Sequence, residues 1–426
     1  MSDYKIETKC LHSGWVPKKG EPRMLPIIQS TTFKYDTTDE MGRLFDLKDD
    51  GYFYTRVQNP TNDMVAAKIA DLEGGVAALL TSSGQAANFY ATLNLCEAGD
   101  HLISTSTIYG GTFNLFAVTF KKLGIECTFV DPDASSEEIE KAFRPNTKLV
   151  FGETIANPAL TVLDIEKFAK LAHSHKVPLI VDNTFATPVN CQPFKWGADI
   201  VTHSTTKYMD GHAAQVGGAI VDSGNFDWES NAEKFSGLTT PDESYHGLIY
   251  TQAFGKKAYI TKATVTLMRD LGSIPSPMNA FILNLGLESM PLRVERHCYN
   301  AQKVAEFLNA HEKVSSVNYA GLPSDKYHER AKKYMPKGTC GVISFELKGG
   351  RESAVHFMDS LKLATIATHV ADAKTCVLHP ASHTHRQMND EQLKEAGVSP
   401  GMIRFSVGIE NIDDILSDLE QALKNA

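Results

Sequence analysis

VAALLTSSGQAANFYATLNLCEAGDHLISTS, residues 76–106, decides the reading of the fold. An apolar run (VAALL) breaks at Ser-Ser-Gly, passes into apolar residues at helical spacing, and returns to a second apolar run, HLISTS. The same alternation continues downstream. YGGTFNLFAVTFKKLG (109–124) is followed by IECTFV (125–130) and SSEEIEKAF (135–143). KLVFGETI (148–155) then leads through DIEKFAKLAHSHK (164–176) into VPLIVDN (177–183). Nearly uninterrupted apolar strands alternating with helices predict an α/β fold with a mainly parallel sheet covered on both faces. ADIVTHST (198–205) and VGGAIV (216–221) read as the last strands of this unit.

Upstream, TNDMVAAKIADLEGG (61–75) has helical spacing and ends in two glycines suited to a C-cap. Residues 1–60 carry little periodicity and several breakers, and read as an extended arm. Downstream, the polar stretch 222–248 interrupts the pattern before helices resume at 252–271 and 278–312. GVISFEL (341–347), a helix-like segment, IRFSVGI (403–409) and a closing helix make a smaller α+β unit. The expected organisation is an arm at 1–60, a large domain at 61–265 that includes an insertion at 222–258, and a small domain at 266–426.

Composition narrows the function. The 426 residues are 42% hydrophobic and 22% charged, which suits large globular cores. Forty-two Lys+Arg against 51 Asp+Glu give a net charge of −9 without a basic run, so a nucleic-acid partner is not expected. No apolar run nears the roughly 18 residues needed to cross a bilayer, so no membrane partner is expected either. The start, MSDYKIETKCLHSGW, lacks an apolar signal core. Seven scattered cysteines contain no C-x-x-C pair, so a reduced, cytoplasmic enzyme without a structural metal is expected.

Chemistry concentrates where strands end. HSTTKY (203–208) places the Ser204 and Thr206 hydroxyls beside the Lys207 amine, an arrangement suited to an aldehyde cofactor bearing a phosphate. The plainer alternative is a solvated loop lysine. Asp182 closes VPLIVD and suits a protonated ring nitrogen, though a turn or N-cap aspartate is the commoner case. In TSSGQAAN (81–88), the N–H groups of Gly84 and Gln85 at a helix start form an anion site, or a merely tight turn. Tyr109 opens the next helix and either stacks on a flat ring or packs in the core. Arg404, within IRFSVGIE, requires a carboxylate, from a substrate or from an internal Asp or Glu. HPASHTH (379–385) has nothing nearby to complete a catalytic metal site, and no strand–G-x-G-x-x-G–helix unit supports a dinucleotide site.

These pieces together resemble the Cys/Met-metabolism family of pyridoxal phosphate (PLP) enzymes. The matching segments are YTRVQNPTN (54–62), TSSGQAA, YGGT, ETIANP (153–158), VDNTFATP (181–188), HSTTKY, PLRVERH (291–297), HPASHTH and IRFSVGIE. They stand in the family's order and span nearly the whole chain. The resemblance implies the aspartate-aminotransferase-like fold, fold type I, with PLP as cofactor. It makes Lys207 the Schiff-base lysine, Asp182 the partner of the ring nitrogen, and Gly84, Gln85, Ser204 and Thr206 the phosphate cup. Tyr109 becomes the stacking tyrosine that relays protons at the leaving group. Asn157 and Arg404 face the substrate carboxylate or the cofactor hydroxyl. Tyr54 and Arg56 reach the phosphate of a neighbouring subunit, which implies a homo-oligomer, a tetramer of two catalytic dimers.

Within that family the 222–258 stretch is similar to an insertion of the O-acetylhomoserine sulfhydrylases. This implies a transferase that makes homocysteine and acetate from the acetyl ester and sulfide, with methanethiol as the alternative nucleophile. A γ-lyase is the alternative. Against it, Gly111 stands where methionine γ-lyases commonly carry Cys, and Thr368, His369, Val370 and Ala371 stand where cystathionine γ-lyases tend to show Glu-Ser-Leu-Gly. A phosphate-binding α/β protein without catalysis is the more distant alternative. Trp228, Phe235 and Tyr245 in the insertion are expected to anchor either a cover over the cofactor mouth or a subunit-packing loop.

Overall fold

The structure, a computed structural model, describes residues 4–382 and 398–426. His383 and His385 of HPASHTH therefore lie outside the described residues. Two sheets organise the chain. The larger contains β1 (Ala77–Thr81), β2 (His101–Thr105), β3 (Glu126–Val130), β4 (Thr147–Glu153), β5 (Leu179–Asp182), β6 (Ile200–His203) and β7 (Gly218–Asp222). Its order is β1-β7-β6-β5-β4-β2-β3. Strands β6, β5, β4, β2 and β3 run parallel, and β7 is antiparallel to both its neighbours. The mainly parallel α/β sheet expected from the sequence is the sheet observed.

Every residue of β2, β6 and β7 is buried, as a sheet covered on both faces requires, and the buried polar side chains of His101 and Ser104 are hydrogen-bonded. Each fully buried Leu, Ile or Val there contributes about 1.5–3 kcal/mol relative to exposure. The smaller sheet contains β8 (Val314–Asn318), β9 (Val342–Leu347), β10 (Thr365–Ile366), β11 (Cys376–Leu378) and β12 (Met402–Ser406), in the order β10-β11-β12-β9-β8. The 34-residue helix Pro277–Ala310 contributes buried residues to the cores of both. Among the described residues no helix is long and apolar enough to cross a membrane.

The arm is less extended than its composition suggests. It holds α1 (Ile6–His12), whose Cys10 is fully buried, and α2 (Thr38–Phe45). The latter is stabilised by a capping box in which Thr37 and Glu40 bond each other's backbone N–H. Next come α3 (Pro60–Glu73), capped by Asn59 and closed by left-handed Gly74, and α4 (Gly84–Leu93), capped by Ser83.

The insertion's aromatic residues are anchors, but its first half does not cover the strand ends where the candidate site residues lie. Trp228 and Phe235 are buried, and the Trp228 ring is stacked on Tyr259 with centroids 5.7 Å apart. Lys234 Nζ donates to the Thr147 carbonyl at 3.1 Å, and Lys148 Nζ donates to the Lys234 carbonyl. Both contacts lie at the start of β4, the edge opposite Glu153 and Asp182. The cover expected of this part is thus corrected: β7 runs antiparallel to β6, so the chain leaves it at the far edge and packs there. Tyr245 lies elsewhere, its hydroxyl donating to the Val265 carbonyl at 2.7 Å.

Candidate active site

Strand direction brings the candidate residues together. Asp182 ends β5, Ser204 follows β6, Tyr109 follows β2, and Gly84 begins the helix after β1, all at the carboxyl edge of the parallel strands. This is where open α/β sheets bind ligands.

Asp182 is held by several donors. Its Oδ1 accepts from the Thr184 N–H at 3.0 Å and the Thr184 hydroxyl at 2.5 Å, and its Oδ2 accepts from Asn88 Nδ2 at 3.2 Å. Thr184 Oγ1 also accepts from the Ser204 N–H at 2.8 Å, and Thr202 Oγ1 donates to Asn88 Oδ1 at 2.6 Å. One network therefore fixes the ends of β5 and β6 against α4. Sequence reasoning missed Asn88 and Thr184. The readable signals were the D-x-T spacing of an Asx-turn and a position four residues after Gly84 on the same helix face.

Gly84 touches Ser204 so closely that a Cβ on it would lie 2.5 Å from the Ser204 Cβ. The helix start thus forms a cradle against the HSTTKY turn. The N–H groups of Gly84 and Gln85 have no carbonyl one turn back to bond. Thr206 Oγ1 is occupied by Gly217, accepting its N–H at 3.0 Å and donating to its carbonyl at 3.2 Å. The Gln85 side chain braces the Tyr109 loop, donating to the Gly111 carbonyl at 3.2 Å.

Lys207 is largely enclosed, and its amine makes one hydrogen bond among the described residues, to His369 Nδ1 at 3.5 Å. Burial, then the nearby Arg404 charge, pushes the amine down to about 8. The turn itself is pinned from the long helix. Arg293, in the PLRVERH segment, donates to the Tyr208 carbonyl at 2.8 Å and the Met209 carbonyl at 3.4 Å. The Tyr208 hydroxyl in turn accepts from the Gly341 N–H at 2.7 Å.

Arg404 is 6% exposed and has no carboxylate partner among the described residues. Its Nη1 donates to Asn157 Oδ1 at 3.1 Å, its Nη2 to the His369 carbonyl at 3.2 Å, and its Nε is buried without a partner among the described residues. Burial pushes the guanidinium down to about 10, which leaves it charged at neutral pH. Of the two partners open at the sequence level, an internal carboxylate is absent among the described residues.

Tyr109 is 50% exposed, so it is not a core residue. Its ring lies over Gly111, where a Cβ would meet Cε1 at 2.6 Å, and its N–H donates to Glu153 Oε1 at 2.8 Å. Glu153, also missed at the sequence level, is held well above the carboxylate range by burial and by the charge of Asp182. Tyr54 and Arg56 are exposed and lie outside this network. Arg56 stacks over the Tyr54 ring at 5.1 Å and donates to the Arg269 carbonyl. His379 bonds Ser382 Oγ at 2.8 Å and the Pro400 carbonyl at 2.9 Å.

These residues fit a phosphate-bearing pyridine aldehyde. The enclosed amine, the fixed carboxylate, the helix-start cradle and a guanidinium without a carboxylate partner among the described residues would suit its aldehyde, ring nitrogen, phosphate and an amino-acid substrate in turn. The class is a PLP enzyme of fold type I. The chain belongs to the family described as Cys/Met metabolism PLP-dependent enzyme, whose profile it matches over residues 7–424.

Within that family, it is 47% identical over 433 aligned positions to O-acetyl-L-homoserine sulfhydrylase of Leptospira meyeri, covering 99% of this chain and 97% of that one. It is 46% identical to homocysteine/cysteine synthase of Saccharomyces cerevisiae, over 94% of this chain and 93% of that one. Among solved structures, it matches a Campylobacter jejuni protein designated an O-acetylhomoserine (thiol)-lyase, with a TM-score of 0.95 and 39% identity. That match covers 99% of this chain and 100% of the other, whose crystal contains a pyridoxyl-lysine monophosphate.

Proposed function

We infer that the protein replaces the acetyl ester at Cγ of O-acetyl-L-homoserine with sulfide, giving L-homocysteine and acetate; with methanethiol the product is methionine. The observation that carries this reading is the near-full-length likeness to sulfhydrylases and homocysteine synthases. Bound PLP supplies an electron-accepting ring that acidifies the substrate's carbon-bound protons.

The remaining work falls to the chain. Lys207 would hold the cofactor through its amine, and that amine, when free, would be the base. With its amine near 8, roughly a tenth is neutral at pH 7 and ready to take a proton. The Arg404 guanidinium binds the substrate carboxylate, with Asn157 fixing its orientation. Asp182 keeps a negative charge at one place, since Thr184 and Asn88 prevent it from turning. Gly84, Gln85 and Ser204 take the phosphate, and Thr206 joins them by exchanging its bond to Gly217. Tyr109 supplies its ring face and hydroxyl on the open side of the site.

Tyr54 and Arg56, exposed on the arm, serve the phosphate of a neighbouring subunit. The working unit is then a homodimer, and the expected assembly is a tetramer of two such dimers. All seven cysteines are unpaired, in keeping with a cytoplasmic reaction. Product analysis with O-acetyl-L-homoserine and sulfide tests the reading. Homocysteine and acetate in equal amounts are expected, whereas 2-oxobutanoate and ammonia without homocysteine would overturn it.

A further inference from the structure

His369 lies in the loop between β10 and β11, and its backbone is tied down on both sides. Its carbonyl accepts from Arg404 Nη2 at 3.2 Å and from Cys376 Sγ at 3.3 Å, and the Ala371 N–H nearby donates to Ser406 Oγ at 2.8 Å. The small sheet thereby delivers the imidazole to Lys207, with Nδ1 3.5 Å from Nζ. Nε2 is buried and makes no hydrogen bond among the described residues.

We propose that His369 is a positioning residue for Lys207, its Nδ1 accepting a hydrogen bond from the Nζ ammonium and holding the freed amine on one bearing. The 3.5 Å separation is long for such a bond, but bonds of this kind commonly tighten when a site is loaded. The surroundings favour the acceptor form of the ring. Burial and the charges of Lys207 and Arg404 disfavour its protonation, outweighing the opposite pull of Asp372 and Asp210. A neutral ring with its Nδ1 lone pair toward an ammonium carries its proton on Nε2.

Burial and the Arg404 charge lower the Lys207 amine, and a neutral acceptor at Nδ1 opposes both by bonding the charged form. His369 thus helps to set the pH at which Lys207 turns from acid to base. The catalytic importance of this rests on Lys207 being the cofactor lysine, but the pairing itself does not.

The test measures the rate at which trinitrobenzenesulfonate modifies Lys207 across pH in the full-length, cofactor-free chain, resolved by peptide mass spectrometry. The unaltered protein should show a midpoint near 8. His369→Leu keeps an apolar volume and removes the acceptor. Its midpoint should fall by about one unit, raising modification at pH 7 about fivefold. His369→Gln restores an acceptor and should return the unaltered midpoint. An unmoved midpoint in His369→Leu, or His369→Gln behaving as His369→Leu does, overturns the proposal. If His369→Leu does not fold, the ¹⁵N spectrum of the unaltered chain decides, with the His369 resonances assigned by their loss in His369→Gln. A bare Nδ1 and a protonated Nε2 support the pairing, and the opposite tautomer overturns it. Failure of the cofactor reading is distinct, because it appears as a pyridoxyl label on another lysine.

Discussion

Glu153 and Tyr109 are joined by a 2.8 Å hydrogen bond from the tyrosine's backbone N–H to a carboxyl whose ionisation burial pushes well above the usual carboxylate range. The ends of two parallel strands thus meet at one side chain, with Asp182 its register partner on the next strand. The native fold favours the protonated form of Glu153. Its contribution to stability is therefore present below the usual value of 4.5 and is lost as pH rises toward the raised native value. Glu153→Gln keeps the acceptor and removes the ionisation. Melting temperatures between pH 5 and 8 should fall less steeply in the variant, and parallel slopes would show that another group titrates.

Asp182→Asn tests the fixed charge. The amide oxygen can still accept from Thr184, so the local fold and cofactor binding should persist. Loss of a preorganised charge in a water-poor site should slow substrate α-proton exchange by about 10²–10³-fold. Exchange at nearly the parental rate would remove Asp182 from the mechanism.

The arm residues make a prediction that requires two chains. Arg56→Ala should weaken PLP retention, and Lys207→Ala should abolish turnover. Mixed after subunit exchange, the two should regain activity, because one site of each hybrid dimer has both residues intact. Inactive hybrids, with exchange demonstrated, would rule out a shared site.

The insertion's buried aromatics predict a stability effect separate from product choice. Trp228, stacked on Tyr259 and edge-on to Phe235, lies at the sheet edge remote from Lys207. Trp228→Ala should cost about 3–5 kcal/mol of unfolding free energy. The ratio of homocysteine to 2-oxobutanoate should stay at the parental value. A shift toward 2-oxobutanoate would restore a covering role to this segment.

The large sheet is legible in the sequence because strands buried on both faces carry apolar stretches, as residues 179–181 of β5 and 219–221 of β7 do. The small sheet is less so. β8 is a half-exposed edge, and β10 and β11 have two and three residues, too few to establish a period. In the arm, α2 carries a readable capping box that breaker counting concealed. At the site, Lys207, Asp182 and Gly84 are legible because each stands at a strand end beside turn chemistry. Glu153 and Arg293 act through contacts between residues distant in sequence, such as the Arg293 bond to Tyr208, and these have no local signature, whereas Thr184 and Asn88 carry the short-range signals of an Asx-turn and a helix face. The place of the insertion depends on β7 reversing direction, which an apolar run alone does not reveal.

The central claim is that Lys207, at the carboxyl edge of β6, is the residue that carries the cofactor. Borohydride reduction of the purified holoenzyme, followed by proteolysis and mass spectrometry, tests it most directly. The account predicts one pyridoxyl label per chain, on the peptide containing His203–Tyr208 and assigned to Lys207. A label on any other lysine would contradict it.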